Sequence, residues 1–143
     1  MDPRRAALLS QFVLDASAVL VLLLDDEPEG PVTPLLEAFS SFDPIVPMLW
    51  DYEVANALMA ARRRGRISAP DVTRSLQSVS SMGCTRDTQV IHPSVLASAA
   101  AAHDVTAYDA AYLLLAIRRG APLATVDRQL ARAAAAAGVP LVC

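Results

Sequence analysis

Apolar positions along this chain fall into short solid runs that alternate with longer stretches of helical period. The first run, Phe12-Val13-Leu14, ends at Asp15. A solid run of that length reads as a buried strand, and residues 17–24 after it read as a helix. A loop is expected over 25–31 and a short helix over 33–41, with Pro34 tolerated in its first turn. Residues 44–47 form a second expected strand. A long helix follows over 49–64, with Trp50, Val54, Leu58 and Ala61 as its apolar stripe and Gly65 as its stop. Glu53, Asn56, Ala57 and Ala60 form a separate stripe of polar and small residues on the same helix.

The alternation continues to the end of the chain. A helix is expected over 68–80, where Ser68 and Asp71 have the spacing of a capping box. A third strand is expected over 88–91, followed by a helix over 93–103. Thr106 caps the next helix, 107–119, which Gly120 closes. A fourth strand covers 123–126, Asp127 caps a helix that runs to 137, and a last strand covers 139–142. The alanine runs at 99–102 and 133–137 are strong helix formers and belong to these helices. Strands alternating with helices imply an α/β fold: one three-layer α/β/α domain over 1–143, with a central, mostly parallel sheet of about five short strands. A length of 143 residues suits one domain with its own core.

Composition changes the picture mainly through what is missing. There is no lysine; all twelve basic residues are arginine. That excludes the P-loop, Schiff-base and phospho-receiver chemistries, each of which needs a lysine. Neither G-x-S-x-G nor G-x-G-x-x-G occurs. Cys84 and Cys143 stand alone, so neither a zinc framework nor a disulfide scaffold is expected, and both read as small apolar residues of a reducing compartment. The aliphatic run at 19–24 is too short to span a bilayer. Arg4 and Arg5 ahead of the apolar residues 6–9 resemble a secretory leader only faintly, because Asp15 interrupts the apolar region and no cleavage pattern follows. A cytoplasmic protein without membrane attachment is expected. A net charge of −3 argues against purely electrostatic nucleic-acid binding, but not against an enzyme that meets phosphate through arginines and a metal.

In open parallel sheets, ligands bind beyond the carboxyl ends of the strands. Asp15 and Asp127 stand at two such ends. Asp109 lies in the first turn of the Thr106-capped helix, and Glu53 on the small-residue stripe, one turn before Asn56. Each acid also has a structural reading. Asp15 and Asp127 suit helix N-caps, Asp109 suits a first turn, and Glu53 suits a solvated face or an ion pair with an arginine such as Arg62. Taken together, these readings weaken. The helix around Asp109 is apolar nearly all round and should be buried, and a buried carboxylate needs a partner. With no lysine in the chain, a divalent cation is the natural partner for several converging carboxylates.

Four segments then carry a resemblance. Phe12-Val13-Leu14-Asp15-Ala16-Ser17, Pro47-Met48-Leu49-Trp50-Asp51-Tyr52-Glu53-Val54-Ala55-Asn56-Ala57-Leu58, Tyr108-Asp109-Ala110-Ala111-Tyr112 and Leu123-Ala124-Thr125-Val126-Asp127 occur in order with family-like spacing. The chain resembles the PIN-domain nucleases, and among them the VapC-type toxins of bacterial toxin–antitoxin pairs. The resemblance implies a PIN-like domain with Asp15, Glu53, Asp109 and Asp127 as catalytic and metal-holding acids, supported by Ser17, Asn56 and Thr125. It implies Mg²⁺ or Mn²⁺, for which carboxylate oxygens are suitable ligands. It implies a ribonuclease acting on structured RNA such as tRNA or ribosomal RNA, a cognate antitoxin that covers the active-site groove, and a homodimer. Asp15 and Asp109 are expected as direct ligands, Asp127 directly or through water, and Glu53 as a ligand or as the group that orients water. Attack of metal-activated water would leave a 5′-phosphate and a 3′-hydroxyl.

Arg62, Arg63, Arg64 and Arg66 are candidate RNA contacts, or else a solvated helix end. Arg118 and Arg119 fit the second role better. His92 and His103 fall in no matching segment and read as structural. Trp50 could stack a base, but its place on the apolar stripe favours the core. A mean hydropathy of +0.37 in so small a chain suggests apolar surface hidden by a partner. Two other functions compete: a catalytically silent PIN fold that only binds, and a PIN nuclease of RNA processing with no antitoxin. A receiver-like domain is disfavoured by the missing lysine, and a metal phosphatase by Ser17, where an aspartate would be expected.

Overall fold

The computed structural model describes residues 10–24 and 32–142. The arginine pair near the N-terminus, the expected loop at 25–31 and Cys143 lie outside the described residues. The elements in chain order are β1 (Gln11–Leu14), α1 (Ala16–Leu23), α2 (Val32–Ser41), β2 (Asp43–Pro47), α3 (Leu49–Arg63), α4 (Ala69–Ser81), β3 (Thr85–Asp87), α5 (Pro93–His103), α6 (Ala107–Arg119), β4 (Leu123–Ala124) and α7 (Arg128–Ala136). Every expected helix is present with ends shifted by a residue at most.

The sheet is parallel, in the order β3-β2-β1-β4. β1 sits at its centre because Phe12, Val13 and Leu14 can be buried on both faces, which suits a solid apolar run. Strand order runs outward in one direction from β1 through β2 to β3, and in the other to β4. The carboxyl ends of β1 and β4 therefore flank a topological switch point, where a crevice opens. Asp15 follows β1, and Thr125 to Asp127 follow β4, so two of the four acids reach that crevice from the sheet itself.

Helices supply the other two. α6 packs on β1, β2 and β4, with α5 and α7 against it. Its first turn is fixed by the Thr106 hydroxyl, which accepts the Asp109 N–H at 3.1 Å, and Gly120 closes it in the left-handed region at φ 59°. α3 buries Trp50, Val54, Leu58 and Ala61, the expected stripe, and turns Glu53 and Asn56 to another side. Ser68 and Asp71 form the expected capping box of α4. No described helix is long and apolar enough to cross a membrane.

Three strand expectations change. The sheet has four strands among the described residues, not five, because the last expected strand is reduced to one parallel bridge between Leu123 and Leu141. Pro140 has no N–H to donate, so the ladder cannot propagate through it. The fourth strand stops at Ala124, because the Thr125 side chain and the N–H groups that follow are drawn into the acid site described below. The third strand forms at Thr85–Asp87 rather than 88–91. Its partner β2 ends at Pro47, opposite Asp87, so Thr88 and Val90 have nothing to pair with, and Val90 is 91% exposed. Polar anchors hold the edge strand instead. Arg86 pairs with Asp51 through two bonds, and Arg118 and Arg119 close on Asp87.

Candidate active site

Asp15 is the organising residue. It occupies the N-cap position of α1 but makes no capping bond, so the structural reading of that acid fails. Instead Ser17 Oγ donates to Asp15 Oδ2 at 2.6 Å and Thr125 Oγ1 donates to the same oxygen at 2.7 Å. Each hydroxyl is itself held by backbone. Ser17 Oγ accepts the Val126 N–H at 3.1 Å, and Thr125 Oγ1 accepts the Asp127 N–H at 3.0 Å. The two strand ends are thereby clamped together through one carboxylate oxygen, and Oδ1 carries no hydrogen bond among the described residues. Ser17 and Thr125, both expected as supporting residues, contact Asp15 directly.

The remaining acids face the same space. Asp15, Ser17, Glu53, Asn56, Asp109 and Asp127 line one cavity of about 290 Å³, with Leu20 and small residues completing its wall. Asp127 does cap α7, through Oδ1 and the Leu130 N–H at 3.0 Å, and lines the cavity as well. Asn56 makes no hydrogen bond to a described residue, so it does not brace a carboxylate here. Glu53 has no ion pair with Arg62; its Oε1 accepts the Tyr112 hydroxyl at 2.5 Å. Sequence reasoning missed that role for Tyr112. The signal was its position three residues after Asp109, on the same side of a helix.

Burial and mutual repulsion work in one direction. Desolvation, opposed by the two hydroxyl bonds and reinforced by Asp109 and Asp127, holds the Asp15 carboxyl above its ordinary value. Glu53 is raised by desolvation and by Asp15 and Asp109, against the Tyr112 bond, and Asp109 by desolvation and then Asp127. The Tyr112 phenol is pushed up by burial and by Glu53. One expectation is corrected. α6 is not buried all round: its first turn emerges from the core, leaving Asp109 half-buried and Tyr108 66% exposed.

All charged groups on the cavity wall are acids. Hard oxygen donors around one aqueous cavity, with no cationic side chain among them, are a donor set that fits a divalent cation such as Mg²⁺ or Mn²⁺. The side chains do not converge into a preformed cluster of three ligands among the described residues.

The other candidates resolve differently. Arg62, Arg63 and Arg64 are exposed at the end of α3; Arg62 is about 14 Å along the axis from Glu53 at the usual rise per residue. Arg66 follows them on the exposed turn and has a partner of its own. Trp50 is fully buried, with the Arg86 guanidinium 5.5 Å over its ring, so it cannot stack a base. His92 caps α5 through Nδ1, which accepts the Ser94 N–H. Cys84 is buried, and burial pushes its thiol up to about 11.

Comparison with known proteins agrees with this fold. The PIN domain family profile matches residues 12–136. The chain is 32% identical over 125 residues to Ribonuclease VapC3 of Pyrobaculum aerophilum, covering 85% of this chain and 92% of that one. It is 34% identical over 119 residues to Ribonuclease VapC9 of Mycobacterium tuberculosis, covering 82% and 87%. The crystal structure of PAE2754 from Pyrobaculum aerophilum superposes with a TM-score of 0.63 at 28% identity, over 87% of this chain and 80% of that one.

Proposed function

This chain belongs to the PIN domain family, and from that premise we propose that it is a metal-dependent endoribonuclease toxin held in check by a cognate antitoxin. The observation that carries the reading is the convergence of Asp15, Glu53, Asp109 and Asp127 on one cavity at the switch point of the sheet. Relatives named as ribonucleases over most of their length support the same substrate class. Structured RNA such as tRNA or ribosomal RNA is the proposed target. Exposed apolar side chains, among them Leu36, Val95 and Ile117, support burial against a second copy and an antitoxin. The whole chain, 1–143, is proposed to act as one domain in the cytoplasm.

Asp15, Asp109 and Asp127, with Glu53, would hold the cation. When bound, Mg²⁺ or Mn²⁺ would neutralise charge on the phosphodiester and lower the pKa of a water. The chain's own residues do the positioning. Ser17 and Thr125 fix Asp15 through Oδ2, leaving Oδ1 free of both hydroxyls. Tyr112 holds Glu53 through Oε1 and favours its ionised form against the burial that raises its pKa, and Glu53 Oε2 is left to orient or accept a proton from the attacking water.

The test is incubation of the purified chain, free of any co-expressed protein, with total cellular RNA. Discrete fragments bearing 5′-phosphates are expected with Mg²⁺ or Mn²⁺ and none with EDTA. Cleavage undiminished by EDTA would overturn the reading.

Two further outcomes follow from the site. Tyr112→Phe removes a bond that favours ionised Glu53, so the Glu53 pKa rises further. Activity is then expected to fall about tenfold near neutral pH, and the acidic limb of the pH–rate profile to move to higher pH. An unchanged profile would show that Glu53 is not a titrating group in the rate. Stability also gains a pH dependence. Asp15, Glu53 and Asp109 all have raised values in the folded state, so their ionisation favours unfolding. Their contribution is full where they are protonated in both states and is lost as pH rises through the folded values. In EDTA the melting temperature should therefore rise as pH falls from neutral toward the ordinary carboxylate range, and added Mg²⁺ should flatten that slope. A melting temperature that falls over this window would contradict the repulsive cluster.

A further inference from the structure

Next to the acid cavity lies a second one, of about 510 Å³, lined by Leu49, Tyr52, Glu53, Asn56 and Tyr108. The two cavities share Glu53 and Asn56 as a common wall. Positions 49, 52, 53 and 56 form one face of α3, and Tyr108 comes from the exposed first turn of α6, one residue before Asp109. Tyr52 is 78% exposed and Tyr108 66%. Among the described residues the one ring pair is Phe12 on Phe39, so both tyrosines present unstacked faces. Neither their hydroxyls nor the Asn56 amide has a hydrogen-bond partner among the described residues.

We propose that this second cavity is a nucleobase subsite, in which an unpaired base flanking the scissile phosphate stacks against Tyr52 and Tyr108 while the Asn56 amide meets its edge. The inference rests on the reading of the acid cavity as the RNA-cleaving site. Charge divides the two cavities between the parts of a nucleotide. Glu53 is the one charged group on the shared subsite and repels phosphate but not a neutral base. The phosphate is left to the cavity whose donor set suits a cation. A flat, uncharged ring with polar edges matches two aromatic faces and one free amide, and a volume of this size lies within the usual range of about 300–1,000 Å³ for a ligand pocket. Aromatic platforms of this kind take bases from single strands, since bases inside a duplex have no face to offer. The subsite therefore selects a splayed or looped nucleotide at the point of cleavage.

Binding can be read apart from turnover with fluorescein-labelled single-stranded RNA of mixed sequence, by anisotropy in EDTA at low salt. Tyr52→Ala and Tyr108→Ala are each expected to weaken binding about tenfold, the effect of losing one base–ring stack. Tyr52→Phe and Tyr108→Phe keep the ring and should stay within about twofold of the parent protein. An abasic RNA of the same length should bind the parent protein weakly and lose nothing further in the alanine variants. With Mg²⁺, the same variants should raise KM while kcat changes little. Alanine variants that bind RNA like the parent overturn the subsite, whether or not the chain cleaves. Ring-dependent binding without any metal-dependent cleavage would leave the subsite standing and remove the nuclease. Both tyrosines are exposed, so loss of fold is not expected, and unchanged far-ultraviolet circular dichroism of each variant checks that.

Discussion

Replacing Asp15 by asparagine is expected to abolish RNA cleavage and, at the same time, to make the protein more stable in EDTA. The two effects have one cause. Asp15 is 6% exposed, its carboxyl is raised by burial, and Asp109 and Asp127 repel its charge. Asparagine has the same shape and keeps a side-chain oxygen for the Ser17 and Thr125 hydroxyls, but it removes the buried charge. Relief of about 1 kcal/mol would raise the melting temperature by about 3 °C at neutral pH. The same change removes the charge of a carboxylate that lines the cavity. Loss of a preorganised electrostatic contact at the reacting centre typically lowers the rate by about 10³-fold. Asp15→Asn should also lose most of the stabilisation that Mg²⁺ gives the parent chain. The measurement is a pair of thermal melts, with EDTA and with Mg²⁺, alongside a cleavage time course on the same preparations. A variant that cleaves RNA at the parent rate would show that the acid cluster is not the reactive centre. A variant that is less stable than the parent in EDTA would show that the hydroxyl clamp outweighs the repulsion.

The largest loss of stability is expected from Trp50→Ala. The indole is fully buried at the start of α3, and it packs between the core and the Arg86 guanidinium, which in turn pairs with Asp51. Truncating it leaves a cavity and unseats the ion pair that anchors β3. A change of this type costs about 3–5 kcal/mol, against a total of about 5–15 kcal/mol for a domain of ordinary stability. Unfolding by urea, followed by far-ultraviolet circular dichroism, should show a midpoint shifted strongly downward with little change in slope. Trp50→Phe restores most of the volume and should recover most of the loss. Because Trp50 lies away from both cavities, Trp50→Phe should cleave RNA at the parent rate per folded molecule. Selective loss of RNA binding in a folded Trp50→Phe protein would mean that the indole reaches substrate after all.

Much of this molecule is legible in the order of its residues. Helices were readable to within a residue because their signals are local. Apolar stripes, the Ser68–Asp71 box, the Thr106 cap and Gly120 each act within a turn or two of the backbone they control. The four acids were readable for a related reason. Each sits at a position that a parallel α/β sheet exposes at the carboxyl edge of its strands, or beside one on a small-residue stripe.

Strands were read less well, because a strand exists only against its partner. Thr88 to Ile91 has the apolar content of a strand, yet β2 has already ended opposite Asp87, and a polar Thr-Arg-Asp segment pairs instead. No local property of either segment reveals where a neighbour separated by some forty residues will stop.

Composition and pattern by themselves determined that the chain folds as alternating strands and helices, that lysine chemistry is excluded, and which four carboxylates are candidates for one site. Tertiary structure decided what each of them contacts. It showed that Asp15 is held by two hydroxyls instead of capping a helix, that Glu53 leans on Tyr112 rather than Arg62, and that Asn56 is uncommitted. It also set Tyr52 and Tyr108 around one space, although they are 56 positions apart by their numbers. The reason is physical. Periodicity and capping follow from backbone geometry within a few residues. Hydrogen-bond partners, desolvation and cavity walls depend on distances between segments that only the packed sheet and its helices bring together.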